Sequence, residues 1–445
     1  MLLSEMNKSE LETFKAAETE KFNAFKSQGL KLNMSRGVHS TEQLDLSMPI
    51  LEVLHSSADM MSEDGTDCRN YGNLTGISEA KRLFASLLGV KDTEIIIGGN
   101  SSLALMYDTV SRAFSHGVYG SVLPWGKLPK VKFLCPVPGY DRHFGICENF
   151  SIEMINIPMS AAGPDMDLVE KLVAEDDSIK GIWCVPLYSN PDGIIYSDET
   201  VKRFAALSPK ASDFRIFWDN AYVVHHLTDK ENSIPNIFDE LRKNNKEDMI
   251  FEFASTSKIT FPGAGVAVLG ASENNIKQIS DILKYQIISY DKLNQLRHVR
   301  YFGDLDGIRR QMLLHRAILE PKFNLVCETL EKELKPLGII DFIKPEGGYF
   351  VSAFVPEGCA KGVVKICKEG GVTLTGAGAT YPYGHDPKDS NIRIAPTFPP
   401  LDELGKALEL FCIAVKLQSA EKLLKDNNFT IEGTDYRDDN IEDRF

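Results

Sequence analysis

Five short stretches carry residue types able to do covalent and proton-transfer chemistry, and each follows a run of apolar residues. Ser255-Thr256-Ser257-Lys258 closes the run MIFEFAS (249–255). A lysine amine attacks carbonyl carbons and, once released, carries protons. Asp219-Asn220-Ala221-Tyr222 closes FRIFWD (214–219) and adds a carboxylate and a phenol. Ser189-Asn190-Pro191-Asp192-Gly193 follows KGIWCVPLY (180–188), a turn with one amide side chain. Pro138-Gly139-Tyr140 follows VKFLCPV (131–137) and sets an aromatic ring at the same level. Asn100-Ser101-Ser102 follows EIIIGG (94–99) and opens a helix, whose first amides and hydroxyls suit a phosphate. Taken singly, each has a plainer reading: an ordinary Asn-Pro turn, an Asp that caps the next element, a solvated loop lysine, a core tyrosine. In an open α/β sheet, however, ligands sit at the carboxyl ends of strands, so all five stretches converge on one rim.

Together they supply what pyridoxal phosphate asks of a protein. A lysine forms the Schiff base, and a carboxylate keeps the pyridine nitrogen protonated so that the ring accepts electrons. An amide and a phenol reach the ring oxygen, an aromatic face stacks on the ring, and a helix start holds the phosphate.

On these motifs the sequence resembles the fold-type-I pyridoxal-phosphate aminotransferases of class I/II, from about residue 30 to residue 415. Tyr71-Gly72-Asn73-Leu74-Thr75-Gly76 is similar to the family's Y-G-x-x-x-G segment. That likeness implies that Tyr71 reaches the cofactor phosphate of a neighbouring subunit, and hence a homodimer. Asn190-Pro191-Asp192-Gly193 matches N-P-x-G, Asp219 and Tyr222 match D-x-x-Y, and Ser255 to Lys258 match S-x-S-K. The resemblance implies that Asp219 holds the pyridine nitrogen, that Asn190 and Tyr222 hold the ring oxygen, and that Lys258 is the Schiff-base lysine. It assigns Asn100, Ser101, Ser102, Tyr140, Ser255 and Ser257 to the cofactor. Pro345-Glu346-Gly347-Gly348-Tyr349-Phe350 resembles the P-x-G-G-x-F strand, and Asn391-Ile392-Arg393 the place where an arginine clamps a substrate α-carboxylate. Gly37 and Asn190 join Arg393 as implied substrate contacts. The stretches LNMSRGVHSTEQLDLS (32–47), CPVPGYDRHF (135–144) and STSKITFPGAG (255–265) resemble a bacterial subgroup of aspartate aminotransferases related to MocR-type proteins. Aspartate and 2-oxoglutarate are then the implied substrates. Other transaminations and lyase reactions use the same constellation, and a ligand-sensing MocR-like domain is the non-enzymatic alternative.

One departure stands out. The family places an arginine on the cofactor phosphate seven or eight residues after the lysine, whereas Gly265 and Val266 stand there. Arg297, in DKLNQLRHVRYF (291–302), is the candidate replacement. The same residue could instead take a dicarboxylate's distal group from the partner subunit, or be a plain surface arginine.

Strands and helices that take turns must position these residues. Continuous apolar runs separated by amphipathic stretches predict a mostly parallel sheet covered on both faces, an α/β architecture. SEAKRLFASLLG (78–89) reads as a helix with Ser78 as N-cap and Gly89 at its end. The expected organisation is an arm (1–45) that joins the smaller unit, a large cofactor-binding domain (46–312), a small α+β domain (313–430) and an acidic tail (431–445).

Composition narrows the partners. With 49 Lys+Arg against 63 Asp+Glu, a formal charge of -14 argues against nucleic acid. No apolar run is long enough to span a membrane, and the first twenty residues are too charged for a signal peptide. Eight cysteines without a CxxC pair suggest reduced thiols in the cytoplasm. Nine histidines form neither HExxH nor finger spacing, and neighbours such as His225-His226 on a strand would face opposite ways, so no metal is expected. Val268 breaks a dinucleotide fingerprint begun at Gly263, and Leu128 after Gly126-Lys127 rules out a P-loop. Trp125, Trp183 and Trp218 read as core or interface.

Overall fold

The computed structural model describes residues 1–426. The acidic tail and the last residues assigned to the smaller unit (427–445) lie outside the described residues. The chain opens with α1 (Lys8–Lys26), where Asn7 and Glu10 form a reciprocal cap. Then come β1 (Leu32–Asn33), α2 (Thr41–Asp45) and α3 (Ser78–Leu88). Ser78 is not the N-cap expected. Ile77 takes that place, because the Ser78 hydroxyl donates instead to Asp64, at 3.4 Å. Gly89 ends α3 in the left-handed conformation, φ 67°.

Eight strands follow: β2 (Ile95–Ile97), β3 (Lys132–Val137), β4 (Glu153–Ser160), β5 (Gly163–Pro164), β6 (Ile179–Cys184), β7 (Arg215–Asp219), β8 (Ile250–Ser255) and β9 (Ala267–Ala271). They form one sheet in the order β2-β9-β8-β7-β6-β3-β4-β5. The central pairings are parallel, while β9 runs against both β2 and β8 and β5 against β4. The expected mostly parallel α/β sheet is therefore present. Helices α4 (Ser102–His116), α5 (Asp141–Asn149), α6 (Met166–Glu175), α7 (Asp198–Ala206) and α8 (Ile237–Lys243) connect the strands, and α9 (Glu273–Leu283) follows the last of them. Alternate residues feed two cores. Phe133, Trp183, Phe217 and Phe253 pack on one face, Leu134, Ile182, Trp218 and Ile250 on the other. All three tryptophans are buried, as are the eight unpaired cysteines.

Two apolar runs are shorter as strands than they read. KGIWCVPLY leaves the sheet after Cys184, since Pro186 has no N–H for a ladder. AGVAVLG enters it only at Ala267, because the residues before it are tied to the turn around Lys258. The pair His225-His226 lies in a turn beyond β7 and not on a strand. His225 is buried, and His226 forms an isolated bridge with Gly347.

The rest of the chain holds α10 (Lys292–Phe302), the long α11 (Leu305–Glu333), β10 (Asp341–Phe342), β11 (Val351–Phe354), α12 (Ala360–Glu369), β12 (Val372–Thr373), β13 (Asn391–Ile394) and α13 (Leu401–Asp426). β10, β11 and β13 make a small antiparallel sheet, and β1 pairs with β12 in parallel. α13 is apolar around most of its circumference because α1, α11 and α12 all pack on it. A single core thus joins Leu11, Phe25 and Met34 of the N-terminal arm to Phe323, Val363 and Phe411.

Candidate active site

Gly37, Ser101, Ser102, Tyr140, Asn190, Asp219, Tyr222, Ser255, Ser257, Lys258 and Arg393 line one cavity of about 580 Å3. It opens at the carboxyl ends of the central strands. β7 delivers Asp219 as its last residue, opposite Phe253 of β8, and β8 delivers Ser255 two positions further on. Lys258 follows in a single tight turn, Thr256–Lys258.

That turn is held from below. The Thr256 hydroxyl accepts from Val266 N at 2.9 Å, and Thr256 and Thr260 both face Nε2 of His298, at 3.1 and 2.9 Å. His298 Nδ1 donates to Asn294 O at 2.8 Å, and the Asn294 amide donates to the carbonyls of Ala264 and Gly265 at 3.0 and 2.8 Å. Burial lowers the His298 pKa to about 4, so the imidazole stays neutral and serves as a hydrogen-bond partner. The segment after the lysine is thereby fastened to α10. Lys258 is only half-exposed to the cavity, and the surrounding protein lowers its amine pKa while Asp219 opposes the shift. Its Nζ lies 4.9 Å from the centre of the Tyr222 ring.

Across the cavity, Asp219 Oδ2 accepts from His143 Nε2 at 3.0 Å. His143 in turn stacks on Trp183, with ring centres 4.4 Å apart and planes 6° from parallel. Asp219 Oδ1 is buried and has no partner. A carboxylate oxygen stripped of water is costly unless a donor meets it, so the site is built for one. Tyr140 stands edge-on to His143 at 5.0 Å, and its phenol is pushed up to about 12 by burial and by Asp219 and Asp141.

Ser101, Ser102, Ser255 and Ser257 share the lining, and the Ser255 hydroxyl donates to Ser257 Oγ at 3.1 Å. Ser257 Oγ donates to Asn100 O at 3.0 Å, while the Asn100 side chain turns away to the carbonyls of Pro262 and Gly263. Arg393 donates from Nη1 to Asp141 Oδ1 at 2.9 Å and to Asn190 Oδ1 at 3.4 Å. Its guanidinium lies 4.8 Å from the centre of the Phe350 ring, and its Nε is buried without a partner. Gly37 meets the same ring so closely that a Cβ would sit 2.7 Å from Phe350 Cζ.

Two other named residues lie apart. Tyr71 is 76% exposed on the surface. Arg297, on α10, donates to Asn294 Oδ1 at 3.0 Å and does not line this chain's cavity.

Sequence reasoning passed over several residues of the site. His143 carries a signal in its spacing, three residues from Tyr140 on the first turn of α5. His39, His225 and His315 carry none, since they come from three distant segments and meet only in the fold. They form a layer of imidazoles around Lys258. His39 is held down to about 3 by burial and by His315, and His225 is lowered by burial and by Lys258. Burial lowers His315 too, and its Nε2 donates to Ile259 O at 2.9 Å. Gln43 donates to His315 Nδ1 and to the Tyr349 hydroxyl, at 3.2 and 3.1 Å.

The family model described as aspartate amino-transferase matches residues 6–427. The chain belongs to the aspartate aminotransferase family. An aspartate aminotransferase of Corynebacterium glutamicum is 44% identical over 401 residues, 90% of this chain and 92% of that protein. A relative from Mycolicibacterium smegmatis, provisionally named an aminotransferase, is 47% identical over 398 residues, 89% of this chain and 93% of its own. The crystal structure of an aspartate transaminase from Corynebacterium glutamicum superposes with a TM-score of 0.92 at 42% identity, covering 95% of this chain and 99% of that one. Within this aspartate aminotransferase family fold, the lysine turn, Asp219 and Arg393 line one cavity, and His143 supports Asp219.

Proposed function

We propose that this chain is a pyridoxal-phosphate aminotransferase that moves the amino group of aspartate to 2-oxoglutarate, working as a homodimer in the cytoplasm. The observation that carries this reading is the buried, unpartnered Oδ1 of Asp219 facing a cavity that also holds Lys258. A protonated pyridine nitrogen is the donor that such an oxygen lacks. When bound, pyridoxal phosphate supplies an aldehyde that condenses with amines and a ring that takes up the electron pair released at the amino acid's α-carbon. The serine hydroxyls and the start of α4 fit its phosphate. Tyr222 and Asn190 fit its ring oxygen, and Tyr140 its face.

The chain's own residues do the rest. Arg393 binds the α-carboxylate of the amino acid, with the face of Phe350 holding the guanidinium in place. Lys258 would hold the cofactor through its amine and, once displaced by the substrate's amine, would take the proton from the α-carbon and pass it to the cofactor's own carbon. Its lowered pKa favours the neutral amine that this step needs. Asp219, fixed by His143 on Trp183, would hold the ring nitrogen of the bound cofactor. In this reading Tyr71, exposed on this chain, reaches the cofactor phosphate of the partner subunit. The same reading divides the chain into a large unit (46–312) and a smaller one (313–430) completed by the arm (1–45). Eight unpaired cysteines suit a reducing compartment.

The test is spectroscopic. Purified protein should be yellow, with an absorbance band that borohydride abolishes, and aspartate should bleach that band in a single turnover. A colourless protein that takes up no pyridoxal phosphate refutes the reading. A yellow one that reacts with other amino acids but not with aspartate refutes the substrate alone.

A further inference from the structure

Aspartate has a second carboxylate, and the cavity holds more positive charge than the groups described so far use. Four Lys/Arg side chains line it: Lys258, Arg393, Arg36 and Arg142. Lys258 faces Asp219, and Arg393 is paired with Asp141. The side chains of Arg36 and Arg142 make no hydrogen bond or ion pair with any described residue.

Their placement is specific. Arg142 sits on the first turn of α5, between Asp141, which pairs with Arg393, and His143, which pairs with Asp219. Arg36 immediately precedes Gly37, whose backbone lies against the ring of Phe350, and that ring carries the Arg393 guanidinium. Both arginines are therefore mounted on residues that touch the α-carboxylate clamp. The serine hydroxyls at the phosphate end belong to α4 and to the lysine turn instead.

We propose that Arg36 and Arg142 of the same chain bind the side-chain carboxylate of dicarboxylic amino and 2-oxo acids, in the role that sequence reasoning gave to Arg297 of the partner subunit. This inference rests on the aminotransferase reading. A guanidinium offers a planar pair of donors that matches a carboxylate. Two of them, from separate segments, line the same cavity. Asp141 neutralises Arg393 in the resting site and leaves these two free to attract the second charge. Both guanidiniums are exposed to solvent, so each contributes at the lower end of what a charged hydrogen bond provides.

The experiment uses holoenzyme variants Arg36→Gln, Arg142→Gln, the double variant and Arg297→Gln. Succinate binding is followed through the cofactor's absorbance, and single-turnover rates are measured with aspartate and alanine. The expected result is succinate binding weaker by about 10-fold in each single variant and about 100-fold in the double. Aspartate should lose in the same proportion, alanine should be unchanged, and cofactor content should equal wild type. Wild-type binding of succinate by the double variant overturns the proposal. So does an equal loss for alanine, a loss of cofactor that marks a phosphate ligand, or a selective loss found only in Arg297→Gln. A wild-type holoenzyme inert to aspartate and alanine alike refutes the aminotransferase reading itself, which separates the two failures.

Discussion

Replacing Asp219 by Asn changes one charge and almost no volume, so its effect can be worked from the contacts. The carboxylate has two oxygens with separate duties. Oδ2 accepts from His143 at 3.0 Å, and Oδ1 is buried with nothing to meet it. In the variant, an amide whose oxygen stays on His143 must aim its NH2 where Oδ1 was. Two donors then oppose each other, and the pyridine nitrogen loses its proton. An amide turned the other way aims its NH2 at His143 and forces that ring to change tautomer. Either arrangement removes a charge-assisted bond of about 1.5–3 kcal/mol, a factor of about 10 to 150 in any state that uses it. The chemical step should suffer more. Electron density builds up on the ring there, and a unit charge about 4 Å away is worth about 4 kcal/mol at the effective dielectric of a partly buried site. Single-turnover mixing of the holoenzyme with aspartate should therefore show a rate lower by about 100- to 10,000-fold. Asp219→Glu, which keeps the charge, should recover part of the loss. The cofactor should survive dialysis in both variants, because the phosphate end is untouched. An Asp219→Asn enzyme within a few-fold of wild type in single turnover would show that the unpartnered oxygen has no part in the reaction.

Three further outcomes are expected. Lys258→Ala should bind pyridoxal phosphate weakly and lose turnover by several orders of magnitude, with partial rescue by added small amines; wild-type turnover without amine would refute the lysine's role. Asp141→Asn frees Arg393 from its resting partner at 2.9 Å and should lower KM for all amino acids alike by up to about tenfold, whereas a raised KM would mean that Asp141 positions Arg393 for substrate. Acid should destabilise the fold through His39, His225, His298 and His315, whose pKa values are all lowered by burial. The unfolded chain binds protons near pH 6.5, and His39 and His298, held down to about 3 and about 4, do not, so stability falls as pH drops below 6.5, by about 1.4 kcal/mol for each of these two at pH 5.5, with His225 and His315 adding in the same direction. Denaturant midpoints at pH 7.5 and 5.5 check this, and an unchanged midpoint would contradict the neutral layer.

The rim of the sheet was legible because it is local. A strand that ends in Asp219 or Ser255 announces its carboxyl end in the sequence, and the fold then has little freedom in where those side chains meet. The strand ends themselves were less legible wherever a side chain from elsewhere decided them. Ala264–Val266 are kept out of β9 by Asn294 and Thr256, and Ser78 is drawn from its cap by Asp64. The imidazole layer was invisible for the same reason. His39, His225 and His315 are far apart in sequence, and only the packing of the arm and α11 on the lysine turn makes them neighbours.

The missing phosphate arginine follows from the same packing. A Cβ at Gly265 would lie 3.1–3.2 Å from Thr256 Oγ1, Phe261 O and Ser257 N, tighter than ordinary contact. Any side chain there must push on the turn that carries Lys258. The Gly265 carbonyl is also the 2.8 Å acceptor through which Asn294 ties that turn to α10. An arginine at 265 would thus gain a charge for the phosphate by loosening the support of the lysine. The chain keeps the support, and the proposed phosphate site falls to uncharged donors, the serine hydroxyls and the first amides of α4. Gly265→Arg should accordingly lower holoenzyme stability and lysine reactivity together, even if the cofactor binds more tightly. A variant with tighter cofactor and unchanged single-turnover rate would show that the turn tolerates the side chain, and that packing is not what excludes it.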